Sequence, residues 1–315
     1  MKKKNIIIDT DPGIDDAIAI LFALKLEEIE LKAITTVAGN VDVEKCTKNA
    51  LKILEMVGRT DIPVVEGACK PLVKRLRTAE YVHGIDGLGD TNLADPTYKP
   101  LDANVVDFLV ETILKNREPI TIVPVGPLTN IALSLIKEPK IANKIDEIVF
   151  MGGTAGSYGN VTPLAEANVY CDPHAAKIIL QSGISTTMVG LNVTQKPLVF
   201  RKHLKKIYHK KNPISEFIIK ILDHYIAIHK KFFKIDGCAI HDALAVAVAI
   251  DRNIVKTKKL YVDVEVNEGL TQGATIVDYY GVLGKESNIE VCVDVDSELF
   301  LSMLLSNLQK YQEKY

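Results

Sequence analysis

Asp9, Asp11, Asp15 and Asp16 bring four carboxylates into the eight residues of the run Asp9-Thr-Asp11-Pro-Gly-Ile-Asp15-Asp16. So much like charge in one turn repels unless a cation neutralises it. Ligands that offer only oxygen select a hard ion such as Ca²⁺ or Mg²⁺ over zinc. A plainer role, acids complementing a helix dipole, accounts for Asp15 and Asp16 and leaves the other two unexplained. Further polar residues close other apolar runs. Asn40 ends Thr35-Thr36-Val37-Ala38-Gly39-Asn40, and Val125 lies in Val123-Pro124-Val125-Gly126-Pro127, where a carbonyl turned off the sheet would be an uncharged ligand. Asn160, Glu166 and Asn168 share one glycine-led segment, where each could equally be a turn former, surface acid or cap. His241-Asp242 opens the apolar stretch Ala243–Ile250, so both fall in a first helical turn. There Asp242 could be only an N-cap, and His241 either a packed side chain or a group poised for proton transfer. His83 stands alone in a glycine-rich loop and is a candidate contact.

The elements that must position these groups alternate along the chain. Apolar runs predict strands at 4–9, 31–37, 120–125, 145–150 and 185–190, and helical periodicity predicts helices at 14–25, 43–57, 104–115, 128–136 and 172–182. This rhythm implies an α/β fold, a doubly wound, mainly parallel sheet with flanking helices and ligands at the carboxyl ends of its strands. Residues 83–90 and 151–163 read as long irregular connections, a pointer to function. A helix over 213–232 carries Tyr225 and His229 four residues apart on one face, and 241–250 is a second, apolar helix. Residues 260–294 read as strands turning at Glu268-Gly269 and Gly281, a small antiparallel C-terminal portion, before a terminal helix over 296–311. No Pro/Gly/Ser-rich linker divides the chain, so residues 1–315 are expected to form a single domain.

Bulk properties exclude several classes. Of the 315 residues 47% are hydrophobic and 25% charged, and a net charge of −2 gives no reason to expect nucleic acid or an anionic membrane as partner. The basic run from Arg201 to Lys211, with Lys202, Lys205, Lys206 and Lys210, reads as a solvated helix face or loop. Only three isoleucines separate the N-terminal lysines from Asp9, too few for a signal sequence, and no window suits a membrane span. The five cysteines are scattered without CxxC spacing, which argues against disulfides or a zinc site and for the cytoplasm.

Taken in order, DTDPGIDDA at 9–17, TTVAGN at 35–40, VPVGPLTN at 123–130, MGG at 151–153, GNVTPLAEANVYCDP at 159–173 and HDALAVA at 241–247 resemble the signature segments of the inosine/uridine-preferring nucleoside hydrolases. The resemblance implies one α/β domain that binds a single Ca²⁺ and cleaves ribonucleosides to ribose and free base. By that likeness Asp11, Asp16, the Val125 carbonyl and Asp242 would hold calcium, and a calcium-bound water activated by Asp11 would attack the sugar. Asp15, Asn40, Asn160, Glu166 and Asn168 would grip the ribose hydroxyls, with His83, Met151, Tyr225 and His229 as further substrate contacts. His83 and His241 match the histidine-bearing branch, with His241 as acid for the leaving base. The family commonly has threonine at Val125, which matters little for a main-chain ligand, and tyrosine at His229, which leaves base preference open. A homodimer or homotetramer is the implied assembly. Two alternatives compete: a haloacid-dehalogenase-like phosphatase using Asp9 as nucleophile, and a nucleoside- or calcium-binding module without catalysis. The first lacks a place for Asp15-Asp16, and the second leaves a full acid, base and metal set unused.

Overall fold

In the computed structural model, which describes residues 3–208 and 212–311, eleven strands are present. They are β1 (Lys4–Thr10), β2 (Ile29–Thr36), β3 (Val64–Val65), β4 (Ile120–Pro124), β5 (Ile145–Met151), β6 (Thr186–Val189), β7 (Leu198–Val199), β8 (Cys238–Ala239), β9 (Val255–Val264), β10 (Thr275–Asp278) and β11 (Ile289–Val295). Nine of them form one sheet in the order β10-β9-β11-β6-β5-β4-β1-β2-β3, and β7 pairs with β8 apart from it. Pairing is parallel from β11 through β3, whereas β9 runs antiparallel to both β11 and β10. The expected doubly wound sheet with an antiparallel C-terminal portion is what the chain forms.

Both faces of the sheet are covered, which is why its central strands are apolar throughout rather than alternating. The pleat of β1 sends Ile6 and Ile8 into one core and Ile7 into the other. On the first face the helix Ile14–Ala23 is buried at every position, and the helix His241–Ile250 at all but its last residue. Helices that are apolar all round belong in a core. The two helices pack on one another, and buried alanines at 17, 19, 243, 245, 247 and 249 keep them slim. A bulky replacement there would cost about 1–3 kcal/mol through overpacking.

Chain direction places the site. From β1 the chain winds to β2 and β3 on one side, then crosses to β4, β5 and β6 on the other. The strand order therefore reverses between β1 and β4, where Asp9 lies in register with Thr35 on one neighbour and Pro124 on the other. A crevice opens at such a switch point because the connections leave in opposite directions.

Some elements differ from expectation. The helix predicted over 172–182 is Pro173–Leu180, but a short helix without a predicted counterpart, Ala167–Cys171, precedes it. The break is local chemistry, since Asp172 caps the second helix by accepting from the Ala175 N–H and Pro173 starts it. The two-residue strands β3, β7 and β8 had no signal in the sequence. Within the basic run, Arg201–Ile207 is a helix in which Arg201 pairs with Asp223, while 209–211 lie outside the described residues, as do 1–2 at the N-terminus. Among the described residues no helix is long and apolar enough to cross a membrane.

Candidate active site

The acids form a buried floor at the switch point. Asp15, Asp16 and Asp242 bring carboxylate oxygens within 4.8 Å of one another, Asp15 and Asp16 from the first turn of one core helix and Asp242 from the first turn of the other. Asp16 is fixed by donors: Thr10 Oγ1 at 2.6 Å, the Gly13 N–H at 3.0 Å and Asn40 Nδ2 at 2.9 Å. Asp11 stands beside this trio. Its Oδ2 accepts from the Asn40 N–H at 2.7 Å, and its Oδ1 is buried with no hydrogen-bond partner. Two glycines make its seat: a Cβ on Gly39 would stand 2.0 Å from Oδ2, and one on Gly126 would stand 2.7 Å from Oδ1.

Burial, followed by mutual repulsion, pushes the carboxyls of Asp11, Asp15 and Asp242 well above the ordinary range. An unpartnered buried oxygen, three converging carboxylates and an oxygen-only donor set fit a hard divalent cation. The structure groups Asp15 with two of the expected ligands and sets Asp11 next to them.

Above the floor lies a cavity of about 650 Å³, lined by all of the expected substrate contacts and by Val125, His241 and Asp242. Asp11 instead lines a narrow adjoining cleft of about 40 Å³. Along this cavity, Glu166 is the N-cap of Ala167–Cys171, accepting from the N–H groups of Asn168 (2.8 Å), Val169 (3.0 Å) and Gly153 (2.9 Å). Burial raises its carboxyl even so. The cap reading and the binding reading thus fall on one residue. Asn160 Oδ1 accepts from the Ala167 N–H, and Asn168 Nδ2 bridges the carbonyls of Val125 (2.7 Å) and Met151 (3.1 Å), tying the ends of β4 and β5. The Val125 carbonyl therefore points off the sheet into the site.

Histidines and aromatic rings form the opposite wall. His83 Nδ1 accepts from the Ile14 N–H at 3.0 Å, so the ring replaces a missing helix cap and carries its proton on Nε2. Burial lowers it to about 3, and His241 likewise to about 3, so both rings are neutral near pH 7. His229 Nδ1 meets the Tyr225 carbonyl at 3.0 Å; since a carbonyl only accepts, this nitrogen holds the proton. Tyr225 packs edge-on against His229 at 4.4 Å, and its hydroxyl draws the Asp15 carboxyl down against the effect of burial, coupling wall to floor. Phe233 continues the ladder at 5.4 Å from His229, and Phe232 meets Tyr81. Phe232, Phe233, Tyr81 and Tyr158 remain exposed at the rim.

Several residues of the site carried no signal in the sequence. Thr194 Oγ1 contacts His241 Nδ1 at 2.7 Å across 47 residues of chain. Gln195, Tyr158, Phe232 and Phe233 line the cavity without a motif to mark them. Asp9, the nucleophile of the phosphatase alternative, is fully buried beneath the floor and lines neither opening. Its Oδ1 accepts from Thr35 and from Asn130 Nδ2, which removes that alternative.

Comparison with known proteins agrees with this geometry. The sequence profile of the family described as "Inosine-uridine preferring nucleoside hydrolase" matches residues 6–302. The pyrimidine-specific ribonucleoside hydrolase RihA of Escherichia coli O81 (strain ED1a) is 42% identical over 307 residues, 97% of this chain and 98% of that protein. The structure of a purine-preferring ribonucleoside hydrolase from Gardnerella vaginalis superposes with a TM-score of 0.93 at 35% identity, covering 99% of this chain and 100% of that one. The plant nucleoside hydrolase PpNRh1 does so with a TM-score of 0.93 at 36% identity, covering 97% and 99%.

Proposed function

This chain belongs to the inosine-uridine preferring nucleoside hydrolase family, as an N-glycosyl hydrolase of ribonucleosides, and from that premise we propose how its residues divide the work and which bases it takes. The observation that carries the reading is one cavity with an acidic, cation-fitting floor at one end and a neutral histidine and aromatic wall at the other. Such a shape suits a nucleoside with its sugar down and its base against the rings.

Cleavage of the N-glycosidic bond builds positive charge on the sugar and negative charge on the departing base. Asp11, with one oxygen held by Asn40 and one unpartnered, is the base that takes a proton from the attacking water. Asp16, Asp242 and the Val125 carbonyl, with Asp11 or Asp15 beside them, would hold Ca²⁺. When bound, that ion supplies Lewis-acid polarisation of water and a charge that orients the ribose diol. Asn40, Asn160, Glu166 and Asn168 grip the sugar hydroxyls, contacts that count most where they strengthen in the transition state. Met151 closes the pocket under the ring, and Asp15 serves the hydroxyls through the side facing the cavity. His83, Tyr225 and His229 pack on the base, and His241 serves it as the leaving group.

Pyrimidine ribonucleosides are the preferred substrates in this reading, supported by the greater identity to a relative named as pyrimidine-specific than to one named as purine-preferring. It takes residues 1–315 as one domain, working in the cytoplasm in nucleoside salvage as a homodimer or homotetramer. The test is ribose release from uridine, cytidine, inosine, adenosine and 2′-deoxyuridine, with and without added Ca²⁺. Calcium-dependent release from uridine and cytidine first, with little from the deoxynucleoside, is expected. Turnover equal on all five, or indifferent to chelator, would overturn the assignment.

A further inference from the structure

We propose that Thr194 is a positioning residue that fixes the ring tautomer of His241, leaving Nε2–H of the imidazole to face the departing base. The inference rests on the reading above that His241 serves the leaving group. Thr194 is fully enclosed, and among the described residues His241 Nδ1, at 2.7 Å, is the hydrogen-bond partner of its hydroxyl. A buried hydroxyl proton without an acceptor costs about 1–3 kcal/mol. The ring nitrogen is the acceptor in reach, so the hydroxyl donates, Nδ1 keeps its lone pair, and the ring proton resides on Nε2.

The consequence is chemical. As the C–N bond breaks, its electron pair passes to the base nitrogen, and an N–H aimed at that charge stabilises it. The other tautomer would present a lone pair to the same charge and repel it.

The hydroxyl is held where it must be. Thr194 ends the turn Leu191–Thr194 that follows β6. Leu191 N–H bonds the Gly153 carbonyl at 2.9 Å, while Asn192 accepts from the Ala155 N–H at 3.1 Å and donates to the Cys292 carbonyl at 2.8 Å. The turn is thereby fastened to the loop that follows β5 and to the middle of β11, and a β-branched side chain on it has few rotamers to choose from.

Thr194→Val removes the hydroxyl at nearly constant shape, and Thr194→Ser keeps it. In the calcium-loaded protein, Thr194→Val is expected to lower kcat on uridine by about 10–100-fold with KM little changed, and kcat on p-nitrophenyl riboside by less than about 3-fold, since that leaving group departs without help. Thr194→Ser should restore uridine turnover. Nitrogen-15 NMR of labelled histidine should find the proton on Nε2 of His241 in the wild-type chain and a mixture of tautomers in Thr194→Val. An equal loss on both substrates, an unchanged kcat on uridine, no rescue by serine, or a wild-type proton on Nδ1 would each overturn the assignment. Should the wild type release no ribose from any nucleoside, the functional reading fails instead, and the NMR result alone decides the role of Thr194.

Discussion

The floor and the wall of the cavity are built differently. The floor hangs on the two strand ends at the switch point and on the first turns of two core helices, and donors hold Asp16 from several directions. The wall is largely one face of the helix Pro213–Phe233, whose far end exposes Phe232 and Phe233 at 47% and 44%. Groups that handle the sugar are thus fixed by the fold itself, as are His83 and His241, while His229, Phe232 and Phe233 lie toward the far, exposed end of one helix, where change costs the core less. One half sets the reaction and the other selects among bases.

Stripping divalent ions strikes the floor hardest. Dialysis against a chelator should bring ribose release to background, with Ca²⁺ restoring it better than Zn²⁺, because the donors are all oxygen. Activity that survives chelation would end the cation-centred account. Next comes Asp11→Asn, which should lower kcat on uridine by about 10³-fold or more, since a poor base replaces a good one where charge also matters. Circular dichroism would show that the variant is folded, and turnover within tenfold of wild type would refute the role.

The wall should respond more gently and more selectively. His241→Ala should cost about 10²-fold on uridine and far less on p-nitrophenyl riboside. His229→Phe should alter the ratio of kcat/KM between uridine and inosine by roughly 1–3 kcal/mol, the range open to a single pocket contact. Its calcium affinity should match wild type. A change in calcium affinity would blur the division between the two halves.

An effect of another kind, on stability rather than turnover, concerns Asp9, beneath the floor. Burial lifts its carboxyl from 3.8 to about 7. Below pH 4 the group is protonated in folded and unfolded chains alike and makes no difference. Between pH 4 and 7 the unfolded chain releases the proton and the folded chain keeps it, so native stability falls by up to about 1.4 kcal/mol per pH unit. Asp9→Asn cannot ionise and keeps an oxygen for Thr35 and Asn130. In chelator-treated protein its stability relative to wild type should rise from pH 4 to 7 and level off above, measured by urea unfolding. A difference that stays flat across that range would show Asp9 ionised throughout.

What could be read in advance follows the same division. The acid-rich turn, the apolar strands and the residues that close them are local patterns, so the sheet, its carboxyl-end site and the floor were all legible. The resemblance extended this to Glu166 and Asn168, though neither the three backbone donors on Glu166 nor the bridge from Asn168 to Val125 and Met151 has a linear signature. Thr194 sits in an unremarkable run, Leu191-Asn-Val-Thr194-Gln-Lys, and gains meaning only because β6 delivers it beside a helix that begins 47 residues later. Asp9 is the reverse case. It fitted a nucleophile motif in one dimension and is sealed off in three.

Gly39 and Gly126 leave no room for even a methyl group around Asp11. The pitch of that carboxylate is therefore inherited from the twist of the sheet rather than from any adjustable neighbour. A laboratory selection for new nucleobases should accumulate changes between residues 225 and 235 and reject almost every codon at 39 and 126. Adaptability and constraint would then be separable on a map of tolerated substitutions before any kinetics were measured.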